Sequence, residues 1–214
     1  MARKLSSGIT LSVPSLRLER SLLRAGHSLV AGIDEVGRGP LAGPIYIGFV
    51  VIAADTPTAP RGVRDSKATR PKDRVRLAQL IEDWAWSTTA SVDADFIDRH
   101  GLTAALRECV NIAFRAARES GMAPSVLILD GIFNFCDPKL PVSVVTRKRA
   151  DKSVSSVAAA SILAKVERDA FMCERSVEFP GYGWERNSGY GTREHQQAIS
   201  ELGLTRLHRK SFCH

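Results

Sequence analysis

Apolar and polar residues change period several times along the chain, and each change predicts an element. After a Ser-rich, basic start, apolar positions recur at helical intervals over 16–25 and predict a short helix. An apolar run at 29–33 meets Asp34 and Glu35, passes through a Gly and Pro cluster at 37–44, and resumes at 45–52, which reads as strand, loop, strand. Residues 57–70 hold turn formers and charges without a period and read as a loop. Val75, Leu77, Leu80 and Ile81 then fall at helical spacing within 72–84; Thr and Val mark 87–92 as a strand; 102–118 reads as a long helix ended by Gly121. Past Pro124 the segment 126–129 is apolar at every position, as in a strand covered on both faces, and it delivers Asp130 and Gly131. A strand at 142–145, an Ala-rich helix at 153–173 with Val157, Ile162, Leu163 and Val166 turned inward, and a helix at 194–202 complete the order. Antiparallel-style strands first, then strands alternating with helices, predict an α/β fold, a mixed sheet flanked by helices.

Composition narrows the class. The 214 residues, 44% hydrophobic and 25% charged, suffice for one compact core without disulfide staples. No run of about 18 apolar residues exists to span a bilayer, so no membrane partner is expected. Lys and Arg outnumber Asp and Glu by 30 to 23, and the resulting +7 points to a polyanionic partner if a site accompanies it. Cys109, Cys136, Cys173 and Cys213 form no C-x-x-C pair and read as reduced, mostly buried thiols. No secretory apolar core follows Arg3 and Lys4, so a cytoplasmic location is expected.

The chemistry concentrates where apolar strands end in acids: Asp34 with Glu35, Asp130, and Asp151 shortly after 142–145. Such acids line a crevice, and converging carboxylates without a His or Cys cluster suit Mg²⁺ or Mn²⁺ rather than zinc. Two ions about 3.5–4 Å apart there would activate a water and stabilise a leaving oxygen in phosphodiester cleavage. Asp34, Asp130 or Asp151 taken alone reads more readily as the cap of a helix or turn than as a metal ligand, so spacing by itself leaves function open. No G-x-S-x-G elbow, P-loop, H-E-x-x-H or strand-linked G-x-G-x-x-G is present. Gly37-Arg38-Gly39, beside the acids, reads either as a tight turn or as backbone that a ligand can approach closely.

One combination carries a resemblance: A-G-I-D-E-V-G-R-G-P-L-A-G-P at 31–44, D-S-K at 65–67, L-D-G at 129–131, A-D-K-S at 150–153, A-A-A-S-I-L-A-K-V-E-R-D at 158–169, G-Y-G-T at 189–192 and H-R-K-S-F at 208–212. Together, in this order, they resemble bacterial type 2 ribonuclease H, ribonuclease HII. The resemblance implies a ribonuclease H-like mixed sheet with a small helical C-terminal region, residues 14–214 forming the catalytic domain behind a loose extension at 1–13. It implies an endoribonuclease that hydrolyses the RNA strand of RNA/DNA hybrids and incises 5′ of single ribonucleotides in duplex DNA, leaving 3′-hydroxyl and 5′-phosphate ends. Asp34, Glu35, Asp130 and Asp151 match the acids that hold Mn²⁺ or Mg²⁺. Gly37, Arg38 and Gly39 match the ribose-sensing segment, suited to a 2′-hydroxyl that both donates and accepts. Tyr190 matches the tyrosine at the following sugar. Lys67, Lys165 and Arg168, with the basic residues 147–149, are the expected phosphate contacts. A monomer is expected, with a replication clamp as a further partner. The pattern departs at Ala68-Thr69-Arg70, where the family continues its D-S-K motif differently, and at 100–103. The rivals are a resolvase or integrase of the same fold, which would lack the Gly37 to Gly39 and Tyr190 pair, and a nucleic-acid binding protein of the same fold without catalysis, which would not need four acids.

Overall fold

The computed structural model describes residues 13–213, so the expected extension at 1–13 lies, apart from Val13, outside the described residues. The strands are β1 (Val30–Val36), β2 (Ile45–Ile52), β3 (Ser87–Val92), β4 (Val126–Asp130) and β5 (Ser143–Arg147). They form one sheet in the order β3-β2-β1-β4-β5. β1–β2 and β2–β3 pair antiparallel, while β1–β4 and β4–β5 pair parallel, so the sheet is mixed as the order of elements predicted.

Both faces are covered, which is why β2 and β4 are apolar at nearly every position. Ile45, Ile47, Phe49 and Val51 join Ala105, Leu106, Val110 and Phe114 of α4 (Leu102–Glu119) in one core. Val50 and Ile52 face the other way, onto Ala158, Ala159, Ile162 and Leu163 of α5 (Ser155–Glu178) and Leu77 and Ile81 of α2 (Pro71–Trp84). The alanines have a purpose. A Cβ at Gly48 would overlap the carbonyl of Ala160, and one at Gly32 would overlap Ser156, so small residues on both sides let the helix lie directly on β1 and β2. In front of them, α1 (Arg17–Arg24) is fastened to the start of α5 by buried Glu19, which accepts from the Ser156 N–H and hydroxyl, both at 2.9 Å.

Three elements differ from the sequence expectation. α3 (Ala94–His100) had no apolar period to announce it, and it is set by its ends: Asp93 accepts from the Phe96 N–H at 2.8 Å, and Gly101, at φ 82°, turns the chain into α4. α5 runs on to Glu178, past the expected 173, with Arg175 pairing to Glu174 and Glu178 in its last turn. α6 (Trp184–Asn187) is too short to show a period. With α7 (Arg193–Leu202) it forms the expected helical C-terminal region, which has a core of its own around Trp184, Tyr182, Met172, Ala198 and Leu207. All four cysteines are free thiols; Cys109 and Cys136 are buried, Cys213 partly so, and Cys173 is exposed, so fewer are hidden than expected. Among the described residues no helix is long and apolar enough to cross a membrane.

Candidate active site

Parallel pairing of β1 with β4 sets Ile33 beside Leu129, the last pair of that ladder, so the next residues, Asp34 and Asp130, stand side by side where the two strands part; β1 itself runs on to Val36 against β2, past the expected end at 33. Ligand crevices form outside the carboxyl ends of parallel strands. A 3₁₀ turn at Ala150–Lys152 brings Asp151 to the same place, tied down where the Ala150 N–H donates to Asp130 Oδ1 at 2.6 Å. A second 3₁₀ turn, Ser66–Ala68, closes the opposite side; Asp65 caps it by accepting from the Lys67 N–H at 2.9 Å, and the Ser66 N–H donates to Ser161 Oγ of α5 at 3.0 Å. The result is a cleft of about 280 Å³ lined by Asp34, Glu35, Gly37, Arg38, Gly39, Lys67, Asp130, Asp151, Lys165 and Tyr190, together with Val36, Asp65 and Ser66. Of the residues singled out from the sequence, ten therefore meet; Arg168 and the basic residues 147–149, which are exposed, do not line this cleft. Asp65 was not anticipated as a site acid because its motif position suggested only the neighbour of Lys67.

The acids repel one another. Burial, followed by the charges of Glu35, Asp130 and Asp151, drives the Asp34 carboxyl well above the usual carboxylate range. Burial, then Asp130 and Asp65, raises Asp151 to about 6 against the opposing Lys152 and Lys67. Two carboxylate oxygens in the cleft, Glu35 Oε2 and Asp151 Oδ1, are buried without a hydrogen-bond partner among the described residues. Buried oxygens of this kind ordinarily find a donor or a cation. An oxygen-only set with unmet lone pairs fits a hard divalent cation. Among the described residues no three such side chains are already closed around one point. Glu35 is instead drawn to Arg38 at 3.0 Å and Asp130 to the Ala150 N–H, contacts that relieve like-charge repulsion.

The basic side of the cleft is also built. Lys165 Nζ lies 2.6 Å from Asp169, which further accepts from Arg74 at 3.1 Å and the Ser188 hydroxyl at 3.0 Å. Asp169 thus orients a cleft lysine while standing outside the cleft, and its i,i+4 spacing from Lys165 was the available signal. Tyr190 is 42% exposed at the rim. Gly39 faces it, and a Cβ there would meet nothing nearer than Tyr190 Cε1 at 4.0 Å. Gly37, by contrast, is required internally, with φ at 100° and the Arg168 side chain packed against it.

Residues 31–214 match the Ribonuclease HII family. The chain belongs to that family. Ribonuclease HII of Ruegeria sp. (strain TM1040) is 38% identical over 211 residues, covering 99% of this chain and 88% of the relative. The ribonuclease H2 structure from Pyrococcus horikoshii OT3 superposes with a TM-score of 0.68 at 27% identity, covering 86% of this chain and 93% of that one. The ribonuclease HII in the complex with PCNA from Archaeoglobus fulgidus gives 0.67 at 25% identity, covering 85% and 94%. The chain is therefore a ribonuclease H, a hydrolase that cuts RNA/DNA endonucleolytically, of a family that depends on divalent metal.

Within this family frame, Arg168 needs correction. It is not a surface phosphate contact: it is fully buried, and its guanidinium donates to the carbonyls of Pro44 at 3.1 Å, Ala42 at 3.1 Å and Ser188 at 2.8 Å. Its cation also stands 5.8 Å from the centre of the Tyr190 ring. Ala164, Arg168 and Met172 are all buried at four-residue steps on α5, so the inward stripe was present in the sequence but hidden by the charge of the residue. Arg209, also buried, donates to Gly43 O at 2.9 Å, and burial followed by Arg168 lowers its pKa to about 9. Two arginines thus stitch the loop that carries Gly37 to Gly39 onto the C-terminal region.

A second buried network holds the Tyr190 segment. His208 Nδ1 accepts from the Thr205 N–H at 2.8 Å, so its proton sits on Nε2 and points at His195 Nε2, 3.2 Å away. His195 Nε2 also accepts from the Trp184 indole at 3.0 Å, and its Nδ1–H donates to the Tyr190 carbonyl at 2.9 Å. Every position is filled with both imidazoles neutral. Burial, then His195, lowers the His208 pKa from 6.5 to about 4, and burial lowers that of His195. The unfolded chain therefore binds these protons first: stability from this pair is complete above pH 6.5 and is lost as pH falls toward 4. Between pH 6.5 and 5, the wild type should lose about 2 kcal/mol relative to His208→Gln, at roughly 1.4 kcal/mol per pH unit. Parallel urea midpoints for the two proteins would reveal an exposed, freely titrating imidazole instead.

Proposed function

We propose that the enzyme hydrolyses the RNA strand of RNA/DNA hybrids and nicks duplex DNA 5′ of single embedded ribonucleotides. The observation that carries this reading is the pairing, on one cleft, of the four-acid cluster with a glycine whose open face looks onto Tyr190. Asp34, Glu35, Asp130 and Asp151 would hold Mn²⁺ or Mg²⁺. When bound, such ions, two of them in this reading, supply a nucleophilic water at neutral pH and neutralise charge developing on the phosphate, giving 3′-hydroxyl and 5′-phosphate ends. The chain's own residues choose the substrate. Backbone groups of Gly37 to Gly39 read the ribose 2′-hydroxyl, which only RNA offers, and Tyr190 packs on the next sugar. Lys67 and Lys165, with the exposed 147–149 segment, take the phosphates. The Archaeoglobus complex supports a sliding clamp as a partner. We further read residues 14–214 as one catalytic domain acting as a monomer in the cytoplasm.

Incubation of a labelled duplex carrying one ribonucleotide with Mn²⁺ or Mg²⁺ should yield a single nick 5′ of it, and an all-DNA duplex should remain intact. Gly39→Ala places a methyl group in the open face with no contact closer than the Tyr190 ring at 4.0 Å, so it should leave the thermal midpoint within about 1 °C while lowering ribonucleotide-specific nicking about tenfold, a cost near 1.4 kcal/mol. Cutting of both duplexes alike would overturn the reading.

A further inference from the structure

Apart from the active-site cleft, a larger cleft of about 700 Å³ opens between α1 and the loop at 58–63. Its lining includes Arg17, Arg20, Arg24 and Arg61, and no acid. The first three fall at i, i+3 and i+7 of α1, hence on one face, and all four are exposed. The opposite face of the helix is occupied by Leu18, Leu22 and Leu23 packed on the core and by Glu19, buried against α5. The arginine row is thus presented by a docked helix.

None of the four arginines in the cleft has an ion pair among the described residues, a state they share with other exposed arginines such as Arg64, Arg76 and Arg147; what sets the four apart is that they converge on one cleft whose lining holds no acid. Like charges three and four residues apart on a helix repel, and guanidinium forks match phosphate oxygens. The cleft also adjoins the active site. Val63 lines one and Asp65 the other, two residues apart and at most about 7 Å along the chain; Ser155 and Asp151 make a second link of at most about 14 Å.

We infer that the Arg17, Arg20, Arg24 and Arg61 cleft is a second phosphate-binding track, which grips the backbone of the duplex on one side of the cutting site. The inference rests on the proposed nucleic-acid substrate, and it assigns that substrate a longer footprint than the acid cleft alone. Nothing in the track reads bases, so its grip is electrostatic and independent of sequence.

The test uses the full chain and four duplexes, each with one ribonucleotide: a short core, the core extended by about ten base pairs on the 5′ side or on the 3′ side, and the core extended on both. For Arg20→Glu/Arg24→Glu, KM should rise about tenfold or more on the duplexes that carry one particular arm, with kcat held, and should match wild type on the core. Metal-free binding to the armed duplex should lose about two units of salt slope, one for each phosphate contact removed. Arg20→Lys/Arg24→Lys should retain most of the affinity. Equal behaviour of wild type and the charge-reversed variant on every duplex would overturn the track, as would an equal loss on all four, the core included. Absence of cutting by wild type would instead sink the ribonuclease reading, while the metal-free, arm-dependent binding would still decide the track.

Discussion

Asp34→Asn should lower cleavage of a ribonucleotide-containing duplex by about 10³-fold or more while changing duplex affinity less than about threefold. Asp34 is the acid that the other three crowd most, directly after the last pair of the β1–β4 ladder. In the proposed reading, removal of its charge takes away a metal ligand where several kcal/mol of charge stabilisation would be exercised, and each 1.36 kcal/mol is tenfold in rate. In the same reading, affinity is assigned to lysines and arginines that the change does not touch. The same variant should melt at a higher temperature than wild type without metal. The folded state holds the Asp34 carboxyl above its ordinary range, so at neutral pH the ionised form works against folding, and a neutral amide removes that repulsion. With saturating Mn²⁺ or Mg²⁺ the order should narrow or reverse, because only wild type gains the full stabilisation of the bound ion. Single-turnover cleavage and paired melting curves read both effects. A variant that cuts at the wild-type rate would remove Asp34 from the reaction.

The second large effect belongs to Arg168. Arg168→Ala should destabilise the fold by about 4 kcal/mol, because three buried carbonyls lose their donor and the side chain leaves a void. Arg168→Lys should recover little, since an ammonium on a flexible stem does not reproduce a planar fork that reaches three acceptors. At temperatures where the Lys variant is still folded, it should discriminate less between ribose and deoxyribose, because the Pro44, Ala42 and Ser188 carbonyls belong to the segments that position Gly39 and Tyr190. Urea unfolding gives the first number and relative nicking of ribo- and deoxy-duplexes the second. A wild-type midpoint for the Ala variant would mean that the guanidinium is solvated.

Much of the candidate site was legible in the sequence because it depends on local rules. Apolar runs marked where the fully buried stretches of β1 and β4 end, and acids directly after such a stretch come to the edge of the core; Asp34, Glu35 and Asp130 needed only that, although β1 continues through Asp34 and Glu35 to Val36 against β2. The motifs placed Lys67, Asp151, Lys165 and Tyr190 on the same cleft, as the structure has them. α3 was missed because a seven-residue helix set by Asp93 and Gly101 has too few turns to show a period.

What only the tertiary structure decided concerns charged residues whose partners are distant in sequence. Arg168 bonds to Pro44, 124 residues away, and no local pattern distinguishes an arginine that meets water from one that meets carbonyls. The same holds for His195 and His208, whose neutrality follows from the donors packed around them. It holds for Arg17, Arg20, Arg24 and Arg61 too, since α1 and the 58–63 loop come together only when both pack on α5. Sequence alone determined which residues could carry the chemistry, because backbone period and strand ends are local; the fold decided which charges face solvent, substrate or the interior, because burial is set by surfaces that meet only in three dimensions.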